Sequence, residues 1–211
     1  MTTVLLTGYE PFGEFDRNPA SRLAMRLDGT TCAGGSIVGR QLPVAFDRAR
    51  PALLELLERH DPAIVLSLGL AAGRPGLSLE RVGINLRDTN GTPDNDDRDV
   101  IDEPVTADGP DAYFATVPVR EMVESMNEAG IPATLSTNAG THLCNDILYA
   151  TRHHVETTDI EARSGFVHVP FSHEGAAARE DTQPSMSLET MARGLEVGIE
   201  TAITAESSPL R

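Results

Sequence analysis

A thiol, an imidazole and a carboxylate stand out in this sequence for the positions they occupy. Cys144 closes the segment Ala133-Thr-Leu-Ser-Thr-Asn-Ala-Gly-Thr-His-Leu-Cys144, which reads as a strand and a glycine-containing turn. It leads into Asn145-Asp-Ile-Leu-Tyr-Ala-Thr-Arg-His-His154, a helical pattern. A cysteine at a helix N-terminus meets free amide groups and the positive end of the helix dipole. Both stabilise a thiolate, and the amides can also donate to an oxyanion. The expectation is a nucleophile of depressed pKa, suited to acyl transfer. The competing fate of a lone cysteine is a small buried apolar side chain.

His168 lies in Gly165-Phe-Val-His-Val-Pro170, a strand ended by proline. Its neighbours would suit an ordinary core histidine, but its place near the strand end is where α/β sites gather, and neutral imidazole is the common general base. Glu80 follows the glycine-rich turn Gly69-Leu-Ala-Ala-Gly-Arg-Pro-Gly76 and precedes Arg81. By itself it reads as half of a solvated ion pair at a strand edge. As the third member of a set with Cys144 and His168 it would orient the base.

The elements that must position these groups alternate between strand and helix. Thr3–Thr7 is a short apolar strand, followed by a loop and a helix over Pro19–Leu27. Ser36–Leu42 reads as a strand and Asp47–Arg59 as a helix, with Leu53, Leu54, Leu56 and Leu57 as its apolar stripe. Ala63–Leu68 is a continuous apolar run, as expected of a strand buried on both faces. Val117–Ala129 reads as a helix stopped by Gly130, Ala133–Ser136 and Gly165–Val169 as strands, and Ser187–Ile203 as a long last helix. The alternation predicts one three-layer α/β/α domain over residues 1–211, with a mostly parallel central sheet. The segment Arg87–Gly109, rich in Asp, Asn, Gly and Pro, is a long excursion that could hold a short hairpin, and loops of that length are often functional.

Other features carry less chemistry. His153 and His154 suit the end of a helix, where a cation complements the dipole. Pro93-Asp-Asn-Asp-Asp-Arg-Asp99 lacks the glycine and bidentate glutamate of a calcium loop, Gly34-Gly35 has no phosphate-loop lysine after it, and neither HExxH nor GxSxG occurs. No metal and no cofactor is expected.

The 211 residues carry a formal charge of −15, and no lysine is present; every basic side chain is arginine or histidine. That balance repels nucleic acid and anionic membranes. It resembles the surface of proteins that work in brine, where carboxylates hold hydration water. No stretch approaches the roughly 18 apolar residues that a membrane helix needs. The start of the chain has no export signal, and the two cysteines, Cys32 and Cys144, form no disulfide framework. A cytoplasmic setting is expected, with Cys32 dispensable in the glycine-rich loop Asp28–Gly35.

Taken together, several ordered blocks resemble the type I pyroglutamyl peptidases, or pyrrolidone-carboxylate peptidases. They are Leu5-Leu-Thr-Gly-Tyr-Glu-Pro-Phe-Gly13 with Asn18-Pro19, Glu80-Arg-Val-Gly-Ile-Asn85, Pro93-Asp-Asn95, Ala139-Gly-Thr-His-Leu-Cys-Asn145, Gly165-Phe-Val-His-Val-Pro170 and Pro184-Ser-Met-Ser-Leu188. The resemblance implies a metal-independent cysteine peptidase that removes an N-terminal pyroglutamyl residue from peptides. It makes Cys144 the nucleophile, His168 the proton relay and Glu80 its orienter, on an α/β/α fold that commonly forms a homotetramer. It also implies that Tyr9 and Phe12 flank the flat lactam ring, that Asn18 shapes the pocket, and that Leu70, His142 and Leu143 line it. The expected partners are small peptides with a blocked N-terminus.

Three positions depart from the family pattern. Leu70 stands where a glutamine is common, Asn90-Gly91-Thr92 where an arginine is common, and His142 where an aromatic is usual. The departures keep two alternatives open: a cysteine amidohydrolase of altered acyl specificity on the same fold, and a non-catalytic binding protein.

Overall fold

The computed structural model describes residues 2–13 and 15–205. In chain order the elements are β1 (Thr3–Tyr9), α1 (Pro19–Leu27), β2 (Thr31–Cys32), β3 (Gly35–Leu42), α2 (Phe46–His60), β4 (Ile64–Leu70), β5 (Leu77–Glu80) and β6 (Val82–Ile84). They continue with β7 (Ala112–Phe114), α3 (Val119–Glu128), β8 (Ala133–Ser136), α4 (Leu143–Thr157), β9 (Arg163–Val169), α5 (His173–Ala177) and α6 (Leu188–Thr204).

Seven strands form the central sheet in the order β2-β3-β1-β4-β9-β5-β8. The β3, β1, β4 and β9 strands run parallel, and β5 and β8 are parallel to each other. Two junctions are antiparallel, β2 with β3 and β5 with β9. Strands alternate their side chains between faces, so each face has its own core. Leu66 and Leu68 of β4, Leu79 of β5 and Val167 of β9 pack with α1, α3 and α6 on one side. Val65 and Phe166 pack with Leu53 and Leu57 of α2 and Leu143, Ile147 and Leu148 of α4 on the other. This is the expected α/β/α layering. Burying each of these Leu, Val or Phe side chains contributes about 1.5–3 kcal/mol.

Local chemistry sets the element ends. Asn18 caps α1, its Oδ1 accepting from the Ala20 amide at 3.0 Å, and Pro19 occupies the first helical position, where no amide hydrogen is needed. Ser187 caps α6 in the same way, accepting from the Thr190 amide at 3.0 Å. Gly8 lets α1 lie directly on β1; a Cβ there would strike the Ala20 carbonyl. Leu54 and Leu56 of α2 are only half-buried, so the stripe expected from sequence is narrower in fact and centres on Leu53 and Leu57.

The fold adds features that the sequence pattern hid. Cys32 lies in the two-residue strand β2, a hairpin partner of β3, rather than in a loop. A small second sheet pairs β6 with β7. The long excursion holds no hairpin strand of its own, only one antiparallel bridge between Arg87 and Glu103. It is organised instead by Asp94, whose carboxylate accepts from the Asp96 and Arg98 amides at 2.9 Å each and from the Phe46 amide at 2.8 Å. Asp94 thus caps α2 from outside and fastens the excursion to the domain core. Among the described residues no helix is long and apolar enough to cross a membrane, and no group of three His, Cys, Asp or Glu side chains is placed to hold a metal.

Candidate active site

The antiparallel β5–β9 junction brings Glu80 to His168. Ser78 pairs with His168 and Glu80 with Phe166, so all four side chains share the face that α4 covers, and Glu80 lies diagonally across from His168. Glu80 Oε1 accepts a hydrogen bond from His168 Nδ1 at 2.7 Å. A carboxylate can only accept, so Nδ1 carries the proton and Nε2 is left as the free lone pair. Glu80 is 0% exposed and His168 5%. This replaces the solvated Glu80–Arg81 pair that a strand edge suggested.

Cys144 is the second residue of α4, and Asp146 makes the first helical bond, to the His142 carbonyl at 3.0 Å. The amides of Leu143, Cys144 and Asn145 therefore have no partner within the helix. The Cys144 sulfur lies above Gly69, which pairs directly with His168 in the β4–β9 register. A Cβ on Gly69 would stand 2.7 Å from Sγ and 2.8 Å from the Phe166 ring. Sheet and helix thus gather sulfur, imidazole and carboxylate at one spot. Among the described residues, no hydrogen bond joins the sulfur to the imidazole.

Burial governs the charges. It pushes the Cys144 thiol up to about 12, with the Glu80 carboxylate adding to the rise, while Arg74 and the Cys144 amide oppose it. The depressed thiol expected from the helix terminus is therefore corrected: desolvation between strand and helix outweighs the dipole. Burial also lowers His168 from the usual histidine value, against the Glu80 hydrogen bond. For Glu80, burial alone would raise the carboxyl, but His168, the nearby Ser136 hydroxyl and Arg74 together leave it below the ordinary glutamate value. Burial thus favours the neutral form of both thiol and imidazole, beside a carboxylate that accepts from His168.

The other candidate residues surround this centre in different ways. Tyr9 is 3% exposed, and its hydroxyl donates to the Leu143 carbonyl at 2.6 Å. Its ring is spent in the core, so it props up the start of α4 and offers no open wall to a ligand. Leu143 is likewise buried. Phe12 is half-buried, with its ring 5.5 Å from that of His142. The His142 ring also contacts Phe46 at 5.1 Å, and its Nε2 donates to the Thr92 carbonyl at 3.1 Å. Asn18 is buried; besides capping α1 it donates to the Glu10 carbonyl at 3.0 Å and so shapes the loop that carries Phe12. Leu70 is the half-buried last residue of β4 and pairs with Val169.

The sequence pattern described as pyroglutamyl peptidase matches residues 2–205. This chain belongs to the pyroglutamyl peptidase family. It is similar to the pyrrolidone-carboxylate peptidase of Cupriavidus taiwanensis, 43% identical over 208 residues, which are 98% of this chain and 95% of the relative. With the pyrrolidone-carboxylate peptidase of Thermococcus onnurineus it shares 42% identity over 202 residues, 96% of this chain and 99% of the relative. Among solved structures, a mutant pyrrolidone carboxyl peptidase from Pyrococcus furiosus matches with a TM-score of 0.92 at 38% identity, covering 96% of this chain and 98% of the other. The pyrrolidone carboxyl peptidase from Thermococcus litoralis matches with a TM-score of 0.93 at 34% identity over 100% of both chains.

In this member of the pyroglutamyl peptidase family, the segment that departs from the family pattern lies against the turn before Cys144. Asn90 Nδ2 donates to Thr141 Oγ1 at 3.1 Å, Thr141 Oγ1 donates to the Asp88 carbonyl at 2.7 Å, and Thr92 receives His142. Three further polar residues that the sequence reading passed over hold this arrangement. Asn145 is buried and clamps the β6 backbone, donating to the Ile84 and Leu86 carbonyls at 2.9 Å each and accepting from the Ile84 amide at 2.8 Å. Asp146, fully buried, pairs with Arg87 and so anchors the start of the excursion to α4. Arg74 reaches Glu80 Oε1 at 2.6 Å. The available signal for Asn145 and Asp146 was two polar side chains on consecutive positions of an otherwise apolar helix start. Arg74 stood in a glycine-rich turn where nothing local distinguished it.

Proposed function

We propose that this protein is a cysteine peptidase that removes an N-terminal pyroglutamyl residue from peptides, with Cys144 as nucleophile, His168 as base and Glu80 as the group that orients it. The observation that carries this reading is the Glu80–His168 hydrogen bond of 2.7 Å, set beside a Cys144 sulfur seated over Gly69. Family membership supplies the substrate class. Because burial favours the neutral forms of thiol and imidazole, proton transfer from Sγ to His168 Nε2 accompanies attack on the scissile carbonyl. Glu80 stabilises the imidazolium as it forms. The carbonyl oxygen turns its developing charge toward the free amides at the start of α4. The imidazolium then protonates the departing amine, and water, deprotonated by His168, hydrolyses the thioester.

The lactam ring is read as lying against Phe12 and His142, with Leu70 at its edge. Tyr9 and Leu143 support the pocket from beneath, and Asn18 holds the loop. A neutral ring in such a place avoids the desolvation that a charged N-terminal amine would suffer. Hydrolysis of pyroglutamyl-coumarin amide, with glutamyl- and prolyl-coumarin amides as controls, tests the reading. Release of coumarin from the first alone is expected. Leu70 and the Asn90–Thr92 segment, both at the site's margin, favour the second reading: another N-acyl or cyclic amide as substrate. Cleavage of such an amide by Cys144, with the pyroglutamyl amide untouched, would establish it.

The remaining features of this reading are a single α/β/α domain, a homotetramer like that implied by the family resemblance, a cytoplasmic site of action and a halophilic archaeal origin. Two free thiols agree with a reducing compartment. A charge of −15 with no lysine agrees with a salt-rich one.

A further inference from the structure

Glu80 is held from two sides through a single oxygen. His168 Nδ1 donates to Oε1 at 2.7 Å, and Arg74 Nη1 donates to that same atom at 2.6 Å. Oε2 is buried with the Ser136 hydroxyl nearby and makes no hydrogen bond among the described residues. Arg74 does more than neutralise a buried charge, because its other terminal nitrogen, Nη2, donates to the Asn138 carbonyl at 3.1 Å. Asn138 belongs to the turn between β8 and α4 that delivers Cys144. One guanidinium therefore spans from the acid of the site to the backbone of the segment carrying its nucleophile. Its planar fork permits this, whereas a lysine ammonium offers a single point of attachment.

We propose that Arg74 is a positioning residue of the reaction: it fixes the Glu80 carboxylate toward His168, shares the charge that His168 feels, and sets the nucleophile's turn relative to both. This rests on the Cys144–His168–Glu80 reading above and adds a fourth member to it.

A carboxylate without Arg74 would place its whole charge on the imidazole and hold the imidazolium too firmly to release its proton to the leaving amine. With Arg74 attached, part of that charge is already matched. Among the described residues, the charged groups that act on His168 are Glu80 from β5 and Arg74 from the turn before it, with the Cys144 thiol of α4 close by over Gly69. The Arg74 charge opposes protonation of His168.

The test uses Arg74→Met and Arg74→Lys in the full chain, with Arg74→Gln as a second neutral variant should the Met variant fold poorly. Turnover of pyroglutamyl-coumarin amide across pH is measured alongside thermal melting. The histidine rings of nitrogen-15-labelled protein are titrated by NMR, with His168 assigned through His168→Asn. In the neutral variants kcat falls on the order of 10- to 100-fold with little change in KM, as for a small misplacement of a reacting group. The His168 midpoint and the acid limb of kcat/KM both move to higher pH. The lysine variant restores the midpoint but only part of kcat, because the link to Asn138 is missing. Variants that melt earlier with an unmoved His168 midpoint and unchanged kcat would give Arg74 a structural role only and overturn the proposal. The NMR titration needs no substrate, so wild-type protein inactive on the pyroglutamyl amide would count against the substrate reading while leaving this result legible.

Discussion

Gly69 and Cys144 share one small space: the sulfur occupies the volume into which any side chain at position 69 would project, 2.7 Å from an ideal Cβ. The same residue pairs with His168 in the parallel register. Gly69→Ala should therefore displace the sulfur, or the Phe166 ring beneath it, by several tenths of an ångström. A loss in kcat on the order of 10²-fold is expected, with the protein still folded. Turnover and a thermal melt of the variant measure this; unchanged turnover would place the reacting sulfur elsewhere.

Glu80→Gln tests orientation without changing volume. The side-chain amide that replaces the carboxylate can donate to His168 Nδ1, which favours the tautomer with the proton on Nε2, the wrong nitrogen for a base. A fall in kcat on the order of 10³–10⁴-fold with a small change in KM is expected. Steady-state kinetics together with a circular dichroism spectrum decide the matter, and near-native turnover in a folded variant would remove Glu80 from the reaction.

The thiol raised to about 12 has a signature in alkylation. Without substrate, the rate of Cys144 reaction with iodoacetamide should keep climbing with pH beyond about pH 8, since only the thiolate reacts. A plateau already reached near about pH 6 would reveal a preformed thiolate–imidazolium pair. Adduct mapping should find activity lost in step with Cys144 modification, and Cys32→Ser should keep full activity. The proposed reaction needs neutral His168, whose titration burial lowers, so the acid limb of kcat/KM should lie below the ordinary histidine value of about 6.5.

Arg87, 13% exposed, pairs with the fully buried Asp146. Arg87→Met leaves the Asp146 charge unpaired and should destabilise the fold by about 3–5 kcal/mol, whereas Arg87→Met with Asp146→Leu should recover most of that. Denaturant titration of the two variants and the parent closes the comparison. Equal loss in single and double variants would mean that the excursion is anchored elsewhere.

Salt should stabilise the protein. A charge of −15 repels itself in dilute buffer, and at molar ionic strength the screening length shrinks to about 3 Å. Thermal midpoints should rise from low to multimolar KCl; a flat or falling series would contradict the halophilic reading.

The sequence made the layers legible because their signals are local. The apolar run of β4, the helix that Gly130 ends and the strand–turn–helix around Cys144 all depend on near neighbours. The reversed direction of β5 was not legible, since four residues carry no mark of which strand they will pair with. With that direction unknown, Glu80 looked solvated beside Arg81, while its actual partners come from β9 and from Arg74. The thiol went the same way. A helix terminus argues locally for a thiolate, but the desolvation that wins arises from β4 and β9, distant in sequence. Tyr9, expected in the loop after the first strand, is instead the last residue of β1, and the bond from its hydroxyl to the Leu143 carbonyl is a fact of packing that no local pattern shows.

The neutral resting thiol has a further consequence for the lifetime of the protein. Peroxide and similar oxidants attack thiolates, converting them through sulfenic acid to forms that no longer act as nucleophiles. In the proposed reaction the proton leaves Cys144 only as the sulfur adds to an acyl group. Between turnovers the side chain is therefore expected to be a poor target for such damage, even though the residue keeps some contact with solvent. Chemical endurance and latent reactivity come from the same desolvation, and a variant that lowered the thiol pKa to hasten attack would shorten the working life of the enzyme under oxidative stress.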